Sequence, residues 1–223
     1  MKMPEQQPPS AVQRSSRPDR AAEAPALKVA LPEVVLAGEV PLRQVLETRR
    51  SRREYSDTPL RLDEVSSLLW AAQGITAPGG LRTAPSAGAI YPLHGYFFSF
   101  RVEGLPAGFY SYDADTRVLT QLARGDKQTR LAKACSGQQC VAECAGALLL
   151  TAWYGRVKRE FGAAAEKLVA VEAGHIGQNW HLQTAALGLG SISIGSFDDT
   201  ALKMLLPIPQ DEEPVYLLLA GCV

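Results

Sequence analysis

Residues 82–92 read RTAPSAGAIYP, a run in which Pro85 and Pro92 bracket Ser86, Ala87, Gly88 and Ala89. Small side chains between two prolines let main chain come close to a flat ligand, with aliphatic and aromatic groups at its border. Alone, the run says only that a ligand is approached by backbone. Two further blocks give it a setting: RRSRR at residues 49–53 and GHIGQN at residues 174–179.

Working outward toward the N-terminus, Pro78-Gly79-Gly80 reads as a loop and Gly74 ends a helix from Asp63 to Ala72 that turns Val65, Leu68 and Leu69 inward. A shorter helix from Pro41 to Arg50 opens on proline, repeats Leu42, Val45 and Leu46, and carries its basic residues at its C-terminal end. Ahead of it, residues 1–36 read as a flexible arm. From Met1 to about Ala26 the arm has Pro, Ser, Gln, Arg and Glu with almost no large apolar side chain, so little burial would offset the entropy of ordering it. It lacks the apolar run and cleavage site of a secretory signal. Residues 37–223 are then a single domain.

Toward the C-terminus, Gly95 to Val102, Gly108 to Tyr112 and Arg117 to Leu122 read as strands, the last two joined by a turn at Asp113-Ala114-Asp115-Thr116. Helices follow at Asp126 to Ala134 and Gln139 to Cys144, then a strand from Gly146 to Trp153. Ala163 to Leu187 is the dominant helix. Val169, Ala173, Ile176, Trp180 and Leu187 line one side, and Val171 and Leu182 make a second side apolar, which suits a buried helix or one shared with another subunit. Gly188 and Gly190 release a strand from Ser191 to Ile194, Asp198-Asp199 open a short helix, and Pro214 to Ala220 is the last strand. Helices mixed with antiparallel hairpins give an α+β fold.

Charge and composition exclude several functions. Lys plus Arg and Asp plus Glu are 23 each, so no net charge draws the chain to nucleic acid or to an anionic membrane, and no apolar run approaches spanning length. There is no GxGxxG fingerprint, Walker sequence or GxSxG elbow. The four cysteines, Cys135, Cys140, Cys144 and Cys222, lack metal-site spacing and read as free thiols in a reducing cytoplasm. Of the three histidines, none is spaced as a metal pair; His175, in an apolar setting, reads as a structural or interface residue. The arginines from Arg43 to Arg61 fit either a solvated helix end or an anion site.

Taken together, RRSRREY, RTAPSAGAIYP, GHIGQN and LGLGSISIGSFDD resemble the FMN-dependent nitroreductase family, and within it the SagB-type dehydrogenase branch, over about Pro41 to Gly221. The resemblance implies a mixed or antiparallel sheet flanked by helices, an intertwined homodimer, and FMN as cofactor. It makes Arg49, Arg50 and Ser51 the phosphate and ribityl contacts and sets Arg53 opposite N1 and O2 of the ring. Pro85, Ser86, Ala87 and Gly88 would pass beside the ring, and Ile194, Gly195 and Ser196 would lie beside N5. No protein nucleophile or metal is implied; FMN takes hydride from NAD(P)H and passes electrons to an electron-poor small molecule such as a nitroaromatic or quinone.

Two departures bear on function. Azoline dehydrogenases of the SagB branch commonly have a Lys-Tyr pair ahead of the long helix, where this chain has Glu160-Phe161. Many nitroreductases also carry cations after the last strand, where Cys222 and Val223 stand. The alternatives are therefore oxidation of an azoline ring in a peptide, with a peptide-modifying partner, and a catalytically weak FMN-binding or regulatory protein.

Overall fold

The runs LHGYFFS, GALLLTAW and EEPVYLLLAG lie side by side at the middle of one sheet. The structure is a computed structural model that describes residues 26–34 and 40–223. In chain order the elements are β1 (Lys28–Ala30), α1 (Leu42–Thr48), α2 (Leu62–Gln73), β2 (Ile75–Ala77), β3 (Leu81–Arg82), β4 (Leu93–Ser99), β5 (Gly108–Asp113) and β6 (Val118–Arg124). Then come α3 (Gln128–Ala134), α4 (Gln139–Glu143), β7 (Gly146–Trp153), α5 (Tyr154–Phe161), α6 (Ala165–Ala186), β8 (Gly190–Ile194), α7 (Asp199–Leu205) and β9 (Glu212–Gly221). The seven-stranded sheet has the order β1-β6-β5-β4-β7-β9-β8, and its strand pairs are antiparallel. The protein is α+β, as the sequence indicates.

Strand geometry sends alternate side chains to opposite faces. Leu93 and Phe97 of β4, Leu148 and Leu150 of β7, and Leu218 and Ala220 of β9 face one core, with Val65, Leu68 and Leu69 of α2 and Val169, Ile176 and Trp180 of α6. Tyr96, Phe98, Leu149, Leu217 and Leu219 face a second core closed by Leu131, Cys135, Cys140, Val141 and Leu202 from α3, α4 and α7. Because both faces are covered, the central strands read as continuous apolar runs and not as alternating ones. Trp180 is fully buried, and its indole Nε1 donates to the Leu219 carbonyl at 3.0 Å, so α6 is fastened to β9.

Several boundaries differ from expectation. The expected arm at residues 1–36 falls largely outside the described residues, but Lys28–Ala30 within it pairs on β6, tying that part to the sheet. The strand from Gly95 begins earlier, at Leu93, and ends at Ser99, because the Phe100 and Arg101 amides turn to the Ala145 carbonyl. The helix expected from Ala163 to Leu187 is the single helix α6, Ala165–Ala186; Gly162, at φ 54°, ends α5 ahead of it, and a single 3-10 turn, Gly162–Ala164, leads in. The Pro78-Gly79-Gly80 loop is the tip of the β2–β3 hairpin, with both glycines at positive φ.

β7 can lie this close to β4 because it begins on glycine. A Cβ at Gly146 would stand 2.6 Å from Cζ of the fully buried Phe97 and 3.2 Å from the Phe98 carbonyl. Gly146→Ala is expected to destabilise the protein by about 1–3 kcal/mol through overpacking. Urea denaturation should show a lower midpoint at unchanged slope; an unchanged midpoint would contradict this packing.

Candidate functional site

The run RTAPSAGAIYP leaves the hairpin at Arg82 and folds back on itself before β4. The Ser86 hydroxyl accepts from the Tyr91 amide at 3.0 Å, the Arg82 amide donates to the Tyr91 hydroxyl at 3.2 Å, and the Arg82 guanidinium lies 5.1 Å from the Tyr91 ring centroid. Gly88, Ala89 and Tyr91 have φ of 59°, 51° and 51°. The left-handed region suits Gly88 but strains alanine and tyrosine, and such strain persists only where surrounding contacts over-determine it. Here the three contacts on Tyr91 hold the loop, leaving Pro85 and Gly88 exposed and Ser86 and Ala87 half-buried.

Beneath this loop, Glu172 of α6 is only 4% exposed and lines a recess together with Ser86. Burial pushes its carboxyl up to about 7, against the smaller opposing effects of the nearby Ser86 hydroxyl and the Arg82 charge. The recess is too narrow to hold a water molecule and is walled by Ser86, Ala87, Ile90, Val157, Leu168 and Val169.

RRSRR sits elsewhere. α1 stops at Thr48 because Arg49 turns to φ −53°, ψ 125°, and Arg50 folds back, its guanidinium donating to the Glu47 and Arg49 carbonyls at 3.0 and 2.7 Å. The chain then runs along the open edge of β8: Ser51 bridges Ser191, and the Arg52 amide donates to the Ser191 carbonyl at 2.9 Å. An edge strand presents unpaired backbone groups, and this segment covers some of them. Arg49, Arg52 and Arg53 form no ion pair among the described residues.

β8 itself ends at Ile194, and Gly195 and Ser196 follow it directly, so the expected N5 segment continues the edge along which the expected phosphate segment lies. Gly195 and Ser196 are exposed. A Cβ at Gly195 would meet only the Tyr216 ring, at 3.5 Å, an ordinary contact, so nothing inside the protomer demands glycine there. Behind this edge, His181 Nδ1 lies 2.7 Å from the Ser191 hydroxyl, which is also 2.7 Å from that of Thr184. Burial first, and the Arg49 charge second, lower His181 to about 4, leaving it neutral near pH 7.

The structure thus brings Arg49, Arg50, Ser51 and Arg53 to the strand that carries Ile194, Gly195 and Ser196, but it does not bring Pro85, Ser86, Ala87 and Gly88 to them. Glu172, under the loop, and His181, behind the basic segment, are nine positions apart on α6. That spacing is about 13 Å along the axis and half a turn around it, so the two blocks lie on opposite flanks of one helix. A larger cavity, an open groove of about 410 Å3 between α1, α2 and α6, is lined by Val40, Leu42, Val45, Trp70, Asn179 and Leu182 among others, and by none of the expected cofactor residues.

Sequence reasoning missed Glu172. Its signal was a carboxylate three residues after Val169 and four before Ile176, within the apolar stripe. His175, expected as a structural or interface residue, is exposed. All four cysteines are free, with Cys135, Cys140 and Cys144 buried, and burial raises their thiols. Among the described residues no His, Cys, Asp or Glu cluster could hold a metal, and no helix is long and apolar enough to cross a membrane.

Residues 46–222 match the model of the nitroreductase family. The chain belongs to that family. It is 36% identical over 195 residues to the nitroreductase-like protein MJ1384 of Methanocaldococcus jannaschii, a match spanning 87% of this chain and 96% of that one. Among solved structures, a nitroreductase-like protein of Ralstonia eutropha is 29% identical with a TM-score of 0.76, over 94% of this chain and 96% of that one. One from Anabaena variabilis is 27% identical with a TM-score of 0.79, over 88% of this chain but only 42% of that one. These likenesses speak for the family as a whole, not for its SagB-type branch.

Nitroreductase-family proteins are FMN-dependent oxidoreductases, and the residues present fit that cofactor. Arg49 and Arg53 offer guanidinium donors with no carboxylate partner among the described residues, suited to phosphate and to an electron-rich carbonyl. Gly195 leaves open the space a side chain would fill.

Proposed function

We propose that this protein is an FMN-dependent oxidoreductase that accepts hydride from NADH or NADPH and passes electrons to a small electron-poor acceptor in a second half-reaction. The observation that carries the reading is the edge of β8, where Ser51 and Arg52 are joined to Ser191 of the strand that ends at Ile194, just before Gly195. Arg49, Arg50 and Ser51 hold the phosphate and ribityl chain, Arg53 faces the pyrimidine side, and the Ile194, Gly195 and Ser196 backbone lies beside N5. FMN supplies the hydride chemistry; these residues bind it, orient it and favour negative charge at one end.

The loop of Pro85, Ser86, Ala87 and Gly88 serves the same site through a second copy of the chain. Two observations support a homodimer. The two motif blocks occupy opposite flanks of α6, and the outer stripe of this 22-residue helix carries Val171, 46% exposed, with Gly174 open beside it. Residues 37–223 act as one cofactor-binding domain, and the free thiols suit the cytoplasm. Azoline oxidation is disfavoured: Phe161, at the position expected of the tyrosine, places its ring against Gly88, where a Cβ would stand 3.4 Å from Cζ, and offers no hydroxyl.

The test is anaerobic. Protein reconstituted with FMN is mixed with NADH or NADPH, then with a nitroaromatic or a quinone, while the visible flavin band is followed. The band should bleach and then return. Bound FMN that stays oxidised with both donors would overturn the nicotinamide half-reaction, and failure to bind FMN would overturn the whole reading.

A further inference from the structure

Of the blocks that carry the family resemblance, GHIGQN at residues 174–179 contributes none of the expected cofactor contacts. It lies within α6 and holds two glycines, which a helix interior disfavours because glycine loses the most backbone freedom on ordering. Their surroundings differ. A Cβ at Gly174 would meet nothing within 4 Å, whereas one at the buried Gly177 would stand 3.0 Å from Cε1 of the Tyr216 ring and 3.5 Å from Cδ2 of Leu218. Gly177 is thus the slot in α6 that admits Tyr216 of β9. The opposite edge of the same ring faces Gly195, where a Cβ would stand 3.5 Å from Cε2. At its tip, the Tyr216 hydroxyl donates to the Ser193 hydroxyl at 2.7 Å.

We propose that Tyr216 is a positioning residue that holds the backbone of Gly195 and Ser196 in place for flavin N5, and that Gly177 is the glycine of GHIGQN that seats it. This rests on the FMN reading above. The ladder between β8 and β9 ends at the pair of Ile194 and Leu217, and the backbone beyond it is next tied at Asp198, whose amide donates to the Ala134 carbonyl at 2.8 Å. Between those two points Gly195 and Ser196 are exposed, and the side chain lying against Gly195 is Tyr216. The ring is held on three sides: Gly177 closes on one edge, Gly195 lies on the other, and the Ser193 bond fixes the tip. It therefore passes the position of α6 to the N5 segment. A backbone donor already in place stabilises charge developing at N5 without reorganising, and a misplacement of about 1 Å costs as much as about 100-fold in rate.

The test reconstitutes apoprotein with FMN isotopically labelled at N5 and reads the N5 nitrogen resonance of the oxidised flavin in wild type, Tyr216→Leu, Gly177→Ala and the double variant. Tyr216→Leu should move the resonance toward its position in an aprotic solvent and slow flavin reduction by saturating NADH or NADPH about 10–100-fold. FMN affinity, set largely at the phosphate end, should fall by less than about 10-fold, the worth of one neutral hydrogen bond. Gly177→Ala presses the ring toward Gly195 and should move the resonance too, but should add nothing on the Tyr216→Leu background. A Gly177 that mattered only to the packing of α6 would lower stability and leave N5 untouched. An unmoved resonance in Tyr216→Leu or in Gly177→Ala, or a Gly177→Ala movement that persists without the tyrosine, would overturn the inference and leave the FMN reading standing. Wild type that binds no FMN would overturn both. Where thermal unfolding or loss of flavin shows that one of these variants cannot be read, Tyr216→Phe decides. It keeps the ring and loses only the bond to Ser193, so it should move the resonance the same way by less; an unmoved resonance there would overturn the inference.

Discussion

Arg49→Ala is expected to weaken FMN binding by about 10–100-fold, the worth of one charge-assisted hydrogen bond, while leaving the apoprotein folded. Arg49 holds the end of α1 through its backbone, donating its amide to the Val45 carbonyl at 2.9 Å, so truncating the side chain leaves that bond in place. The guanidinium has no ion pair among the described residues to lose. Arg49→Lys should fall between the two, keeping the charge but not the planar fork. Fluorescence titration with FMN, paired with thermal unfolding of the apoprotein, checks both halves; unchanged affinity in Arg49→Ala would move the phosphate away from this edge.

Glu212→Ala should have the opposite signature, a loss of about 3 kcal/mol in stability. At the start of β9, Glu212 is 4% exposed and accepts from Tyr96 and Thr151 at 2.9 and 2.5 Å, with His94 Nδ1 at 2.7 Å from its other oxygen. Removing it leaves the buried Thr151 hydroxyl of β7 without this acceptor and takes one partner from the Tyr96 hydroxyl of β4. Burial alone would raise this carboxyl, but the His94 bond and charge and the Thr151 and Tyr96 bonds outweigh it, so its pKa is lowered. A lowered carboxyl binds fewer protons when folded. Its contribution is therefore full above the ordinary glutamate range and is lost as pH falls through the folded value. Urea midpoints for wild type and Glu212→Ala should converge on acidification; a constant gap down to acid pH would contradict the account.

Glu212 also shows why some of the molecule was not legible in the sequence. In EEPVYLLLAG it reads as a polar strand end, and its partners are 61, 116 and 118 positions away. Only the pairing of β4, β7 and β9 assembles them. The strands themselves were readable, because FFSF, ALLL and YLLLA are too short and too rich in large apolar groups to be anything but buried segments. The β2–β3 hairpin and β1 were not, since strands of two or three residues carry too little periodicity to separate them from loop.

The sequence by itself determined the family blocks, the α+β order of elements, and the long helix with two apolar faces, because side-chain type and spacing are local properties. Tertiary structure alone decided which blocks are neighbours. It zipped Ser51 to Ser191 across an open sheet edge, set Ser86 on the opposite flank of α6, and buried Glu172 between Ser86, Val157 and Val169. Strand pairing and desolvation depend on residues far apart in the chain, and a carboxylate whose titration depends on its surroundings acquires its character only when those surroundings close over it.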